Sequence, residues 1–300
     1  MRHAPRLFLQ ASLMLIACSG AFAQSPDTKS PDTWRQLETK YLFGFTEGSD
    51  IGGEGEKEVS AAVIGAFGKR AGAYGALEHR LAFETTLSQF VQVEMGLIGA
   101  SYGIRDVPGM DNTNRTGFRG AFAELRYLLI EKTPDSKFGL TLSVEPNWSR
   151  LEDSTGERVT QFEFETKLQA DYELIPNRLY SAFNLIYEPE IIRDMGKSGW
   201  EREATLGVSA ALAGRVSSSV VVGAELGYFR KYAQGVLPNA YEGQALYMGP
   251  TLYVQLTRKA FLAAAFATQV AGGGVDQPGA HLNLENFSRS RAKLKVGFEF

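Results

Sequence analysis

Hydrophobic and polar residues alternate along much of this chain. From Gln161 to Leu174, every even position is apolar except Thr166, and every odd position is polar or charged. Successive side chains of a β-strand point to opposite faces, so this pattern predicts a strand with one apolar and one polar face. The segment is much longer than the usual strand of about 5–6 residues in soluble proteins. Such a length suits a tilted strand that crosses a membrane.

The same alternation recurs through the rest of the chain and predicts about 12 strands. They are expected at 56–69, 74–86, 90–104, 117–131, 137–149, 159–174, 179–191, 201–213, 219–232, 245–257, 260–272 and 290–300. Short connections alternate with longer polar ones, apart from the short connection at 70–73. Short periplasmic turns and longer outer loops are typical of transmembrane barrels. An even strand number would return both ends of the barrel domain to the periplasmic side.

The last predicted strand carries the most specific pattern. Leu294, Val296, Phe298 and Phe300 lie on its apolar face, and charged residues lie between most of them. A strand of this kind that ends in phenylalanine resembles the C-terminal signature of bacterial outer-membrane β-barrels, which the barrel-assembly machinery recognises. The resemblance implies an all-β fold, a single antiparallel transmembrane β-barrel in the outer membrane. Closure is required because lipid cannot satisfy the open edge of a sheet.

The N-terminal region has the pattern of an export signal. Arg2 and Arg6 precede an apolar stretch, and small residues lead to Ala23, so residues 1–23 are predicted to be a cleaved signal peptide. Alternatively, Cys18 closes a sequence that resembles a lipoprotein box and would then be lipidated. Residues 24–55 are expected to form a periplasmic linker or a partial plug of the barrel, and the alternation leaves both possibilities open. Residues 56–300 form the predicted barrel domain.

Composition narrows the classes of function. The formal net charge is -3, from 34 acidic and 31 basic residues, which gives no reason to expect a nucleic-acid partner. Cys18 is the single cysteine, so a disulfide framework and a thiolate metal cluster are excluded. No cofactor and no metal site are expected. The expected partners are outer-membrane lipid, the assembly machinery and small solutes.

If the apolar faces meet lipid, the polar faces point into the barrel. The inward positions then hold fifteen acidic and seven basic residues, which predicts a lumen with a negative charge of about eight. The predicted lumen-lining residues are Glu78, Arg80, Glu94, Glu124, Arg126, Glu145, Glu163, Glu165, Lys167, Asp171, Glu173, Glu225, Arg291, Lys293 and Lys295. Acidic side chains along a pore favour cations. Alternatively, these charges pair between neighbouring strands and close the interior.

An enzyme is not expected, although some outer-membrane barrels are lipases or proteases. After export only His79 and His281 remain as candidate bases. Parity places His79 on the lipid side, His281 falls in the last outer loop, and neither has a hydroxyl-and-acid pattern around it. A serine hydrolase needs a histidine beside its nucleophile.

The last long connection, 273–289, is the most apolar of the outer loops. Leu282, Leu284 and Phe287 would allow it to fold inward and narrow the pore. The stretch Phe43–Gly48, followed by Gly55–Glu58, resembles a proteobacterial group of barrels of unknown function, and is loosely similar to the barrels of phenol-degradation operons. The first hypothesis is therefore a channel for small neutral or cationic solutes. The second is a non-conducting barrel with a surface-binding or structural role, and a lipid-anchored periplasmic β-protein or a lipase-type enzyme ranks below both.

Overall fold

Each alternating segment of the sequence forms a strand in the computed structural model, which describes residues 37–133, 135–234, 240–275 and 278–300. The predicted signal peptide, Cys18 and residues 24–36 lie outside the described residues. The strands are β1 (Lys57–Phe67), β2 (Ala73–Ser88), β3 (Val91–Arg105), β4 (Thr113–Ile130), β5 (Phe138–Leu151), β6 (Arg158–Ile175), β7 (Leu179–Asp194), β8 (Glu201–Arg215), β9 (Val220–Ala233), β10 (Tyr241–Gln255), β11 (Ala260–Gly274) and β12 (Ser290–Glu299).

The strands close into one antiparallel barrel, which confirms the predicted fold class. Each strand pairs with its neighbours in sequence, and β1 completes the ring by pairing with β12. Along this seam Val59 lies opposite Phe298, and Gly65 lies opposite Ala292. Every strand therefore has a partner on both sides, and no sheet edge is left open. In the described part of the chain, helices long and apolar enough to cross a bilayer are absent.

The two faces of the barrel have opposite character, as the alternation predicts. Leu97 and Phe183 are about half exposed on the outer surface, whereas Gln169 and Asn184 are buried inside. The four residues of the predicted C-terminal signal lie on the outer surface, with exposed fractions of 42% or more: Leu294, Val296, Phe298 and Phe300.

Two strands begin several residues earlier than the alternation indicates. β4 begins at Thr113 and β10 at Tyr241, four residues before the predicted starts at 117 and 245. The added residues Asn114 and Arg115 are polar, like their surroundings in the sequence. At the strand ends that are joined by the long connections, both faces of a strand can meet water. Neither face has to be apolar there, so the sequence of these strand ends does not alternate as it does in the middle of the strands.

Residues 37–55, here called the lumen segment, precede β1, and most of them lie inside the barrel, while residues 53–55 are exposed. Leu42 and Phe43 are almost fully buried, and they belong to a cluster with Ala182, Ala211 and Phe261 on the inward faces of three strands. At the level of this cluster, β7, β8 and β11 present small or apolar residues to the interior instead of charges. The interior near the short turns is therefore an apolar seat that the lumen segment fills.

Candidate functional site in the barrel interior

Glu47 is the main electrostatic anchor of the lumen segment. Its carboxylate accepts hydrogen bonds from Arg126 Nη1 at 3.0 Å, Lys167 Nζ at 3.3 Å and Gln169 Nε2 at 3.0 Å. Burial alone would raise the pKa of Glu47, but Lys167 and Arg126 hold it well below its usual value. The carboxylate is therefore ionised and joins β4 to β6 through one residue of the segment.

Lys40 is a second anchor, of opposite charge. Its ammonium is nearly fully buried, donates to Glu84 and to Gln92 Oε1 at 3.0 Å, and lies 3.7 Å from Glu94 Oε2. Burial alone would lower the pKa of Lys40, yet the neighbouring carboxylates, Glu84 first, raise it above its usual value. Buried charges are tolerated only where they are paired in this way.

The backbone of the lumen segment is satisfied by inward carboxylates. Asp171 accepts hydrogen bonds from the amide and hydroxyl of Ser49, both at 3.0 Å. Glu225 accepts from the amides of Phe45 and Thr46, both at 2.9 Å. A segment without regular secondary structure needs such partners because an unpaired buried amide is costly. Part of the acidic lining thus holds the segment in place.

Gly44 sits at a tight contact between the lumen segment and the barrel wall. Its φ is +84°, and a Cβ there would lie 2.7 Å from the Ala265 Cβ and 2.8 Å from a Thr251 methyl. Gly44→Ala is therefore expected to displace the segment and expose buried Lys40 to trypsin, which limited proteolysis with mass spectrometry would detect. Gly53→Ala is the matched control because its Cβ would meet nothing closer than 3.5 Å. Equal protection of Lys40 in both variants would contradict the tight seat.

A chamber lies beyond the lumen segment, toward the long connections. Its inner cavity measures about 270 Å³ and adjoins a second of about 300 Å³. Arg80 pairs with Glu78 at 2.6 Å and with Glu145 at 2.9 Å, and Arg119 also pairs with Glu78. Part of the charge on the chamber wall is therefore neutralised across β2, β4 and β5.

Some carboxylates of the chamber have no such partner, and two of them lie on neighbouring strands. Among the described residues, Glu163 and Glu188 line the inner cavity with no cation within salt-bridge distance and no hydrogen bond to their side chains. They come from β6 and β7, which lie side by side. These two strands thus present neighbouring acidic side chains without a cation partner to the chamber.

Residues 278–289, here called the cap loop, line the chamber at the other end. Asn283 and Gln269 exchange two hydrogen bonds, at 2.6 and 3.1 Å, which hold the loop against the inward face of β11. Phe287 lines the 300 Å³ cavity. Lys69 donates to the Glu285 carbonyl at 2.8 Å, and burial lowers the pKa of this lysine to about 8. The last long connection therefore folds inward, as its apolar residues predicted.

The structure distributes the fifteen predicted lumen residues over three places. Eleven line the 270 Å³ cavity: Glu78, Arg80, Glu94, Glu124, Glu145, Glu163, Glu165, Lys167, Arg291, Lys293 and Lys295. Arg126, Asp171 and Glu225 contact the lumen segment instead. Glu173 is apart from both groups, because its carboxylate accepts from the Asn177 amide in a short turn and lies 3.9 Å from Lys137.

Arg119 is an interior residue that the alternation missed. Ile98 pairs with Gly120 while the next residue, Gly99, pairs with Phe118, so Arg119 is the extra residue of a bulge. A bulge shifts the parity of everything that follows it along the strand. The glycines that flank Phe118 and Arg119 are the signal that could have indicated it. Lys40 and Glu47 were missed for another reason, since they precede the first strand and follow no period.

His79 has a hydroxyl neighbour that the sequence pattern did not indicate. Its Nε2 lies 3.0 Å from Ser101 Oγ, and Ser101 accepts a hydrogen bond from Thr116 at 3.0 Å. Among the described residues, however, His79 has no carboxylate within hydrogen-bond distance. A serine–histidine pair without a third group to orient the base lacks part of the hydrolase arrangement.

Comparisons with known proteins agree with this architecture. A family model described as "Family of unknown function (DUF6662)" matches residues 36–300. No curated protein matches the chain by sequence. The solved structure of the COG4313 outer membrane channel from Pseudomonas putida F1 is similar, with a TM-score of 0.54 and 14% identity over 84% of this chain and 98% of that one. The NanC porin gives 0.48, with 11% identity over 81% and 98%. At these identities the likeness shows the fold alone.

Proposed function

We propose that this chain, which belongs to the DUF6662 family of unknown function, is an outer-membrane channel for small cationic or neutral solutes. In this structure the lumen segment and the cap loop close the channel. A transport function is proposed because the interior contains a chamber between the lumen segment and the cap loop rather than a continuous packed core. A barrel of twelve strands also lies between the filled barrels of eight and the open pores of sixteen to eighteen.

The observation that carries the proposal is the free acidic wall of the chamber. Glu163 and Glu188 line the inner cavity without a cation partner in the described structure. A fully packed structural interior would be expected to neutralise them, since unpaired buried carboxylates are costly. A solute with a positive charge would instead find them available. The loose similarity to barrels of phenol-degradation operons makes small aromatic compounds the first neutral solutes to test.

The direct test is the current through the refolded protein in a planar bilayer under a KCl gradient. The full chain is expected to give small or rare current steps. Deletion of 37–52 should give frequent, larger steps with a reversal potential that favours cations, since it empties the seat near the short turns. Deletion of 278–286 should also raise the conductance, but by less, because the lumen segment remains.

A silent deletion variant would favour the second function, a non-conducting barrel with a binding or structural role. The many interior ion pairs, such as those of Arg80 and Arg126, are the observation behind it. Heat-modifiable mobility on a gel provides the control for folding of each variant. A folded, inserted and silent variant would contradict the channel.

A further inference from the structure

The outer wall of the barrel carries a groove on the side opposite to the chamber lining. It has a volume of about 890 Å³ and crosses β4 to β8. Ala121 and Ala123 form a low floor, and Trp148, Phe162 and Tyr187 rise around it. The volume lies within the range of about 300–1,000 Å³ typical of small-molecule sites.

Two prolines on the outer face explain why the wall is indented there. Between β4 and β5 the pairing passes from Phe122–Asn147 to Leu125–Val144, so Pro146 is unpaired toward β4. Between β6 and β7 the pairing passes from Glu163–Glu190 to Thr166–Tyr187, so Pro189 is likewise unpaired toward β6. Proline has no N–H to donate to a ladder, so each one interrupts a sheet locally.

Arginines gather at the end of the groove that faces the long connections. Arg202 lines the groove directly and lies opposite Ile191, another lining residue. Arg193 follows Ile191 on the same face of β7, and its guanidinium lies 4.7 Å from the ring centre of Trp200. Arg150 follows Trp148 on the outer face of β5 and is exposed.

Three carboxylates also border the groove, Glu163, Glu190 and Glu203, but they lie on the inward faces of β6, β7 and β8. None of the three arginines has an ion pair within the described residues, and the outward positions of β5 and β7 from Pro146 and Tyr187 onward carry no carboxylate. A cationic cluster above an apolar groove is complementary to a molecule with an anionic head and an apolar tail. Arginine is also the side chain best shaped to bind phosphate through two parallel hydrogen bonds.

We propose that this groove binds a phosphate-bearing lipid of the surrounding membrane, with an acyl chain over Ala121 and Ala123 and the phosphate at Arg193 and Arg202. The site needs the barrel to lie in a lipid bilayer, but it does not depend on conduction. The surrounding lipid is as apolar as the groove, so the acyl chain alone contributes little to the choice of one lipid over another. The head group must therefore provide the preference.

The test compares lipids that share their chains and differ in the head group. The purified full chain in detergent micelles is mixed with dioleoyl phosphatidic acid or dioleoyl phosphatidylcholine, and retained lipid is counted by native mass spectrometry. We expect selective retention of phosphatidic acid. Retention should fall at least about tenfold in the Arg193→Gln, Arg202→Gln double variant, since the loss of one charge-assisted hydrogen bond already corresponds to that factor.

Three controls make the result decisive. Arg105→Gln removes an exposed arginine at the end of β3 and should leave retention unchanged. Ala123→Phe should fill the groove and lower retention while both arginines remain. Inorganic phosphate at the same concentration should not displace the lipid. Equal retention in the double variant and in Arg105→Gln, or displacement by free phosphate, would overturn the lipid site.

Discussion

Replacing Glu47 with lysine is expected to release the lumen segment from the barrel. The change removes the acceptor of Arg126 and Lys167 and places a third cation between them. Breaking one buried ion pair typically costs about 3–5 kcal/mol, and the added repulsion increases this cost. Because the strand ladders do not include Glu47, we expect the barrel to stay folded while the segment leaves its seat.

Two measurements follow the release. Single-channel recording should show a several-fold higher conductance than that of the unmodified chain, and trypsin should cleave after Lys40, which is 3% exposed at its side chain in the closed structure. Glu54→Lys is the matched control, because it makes the same charge change at an exposed position of the same segment. If both variants conduct like the unmodified chain and neither is cut after Lys40, Glu47 is not an anchor.

The second large effect is expected on ion selectivity. In a chain that lacks residues 37–52, replacing Glu163 and Glu188 with glutamine should move the reversal potential in a KCl gradient markedly toward zero. The amides keep the size of the side chains and remove two acidic groups of the chamber wall. Selectivity in a narrow, partly desolvated passage depends strongly on such charges because the effective dielectric constant there is low.

The control for selectivity is Glu157→Gln, which neutralises an exposed carboxylate in the connection between β5 and β6. It should leave the reversal potential in place at high salt, where exposed charges are screened. An unchanged reversal potential in the chamber variant would show that Glu163 and Glu188 do not face the permeating ion, and the acidic lining would then act mainly to hold the lumen segment.

Alternation predicted the strands and their two faces, because the demand for lipid outside and polar groups inside acts on every residue of a strand. The four outward residues from Leu294 to Phe300 and the inward Glu163 follow from this two-residue period alone. It fails where the period itself breaks. One extra residue at Arg119 reverses the parity, and polar strand ends such as Asn114 have no lipid contact to mark them.

The two-residue alternation could not predict the contacts that the lumen segment makes inside the barrel. The partners of Glu47 come from β4 and β6, which are far from it in sequence, and nothing local specifies their meeting. The apolar seat was equally hidden, because small inward residues such as Ala182 and Ala211 give no sign in the sequence of what packs against them. The groove in the outer wall depends on Pro146 and Pro189, whose effect is on the pairing of strands rather than on the pattern of side chains.

The seam between β1 and β12 has a consequence for how the protein is made. Val59 and Phe298 come from opposite ends of the barrel domain, so their pairing is the least local in the ring and carries the largest loop-closure entropy. The lumen segment lies immediately before β1, which forms one side of this seam. The lumen segment could dock on β4 and β6 through Glu47 while the sheet is still open. Docking would hold β1 near the place where β12 has to pair with it, and would lower the entropic cost of closing the ring. The residues that close the finished barrel would then also act as its assembly template, and a chain without them would fold to the same ring more slowly.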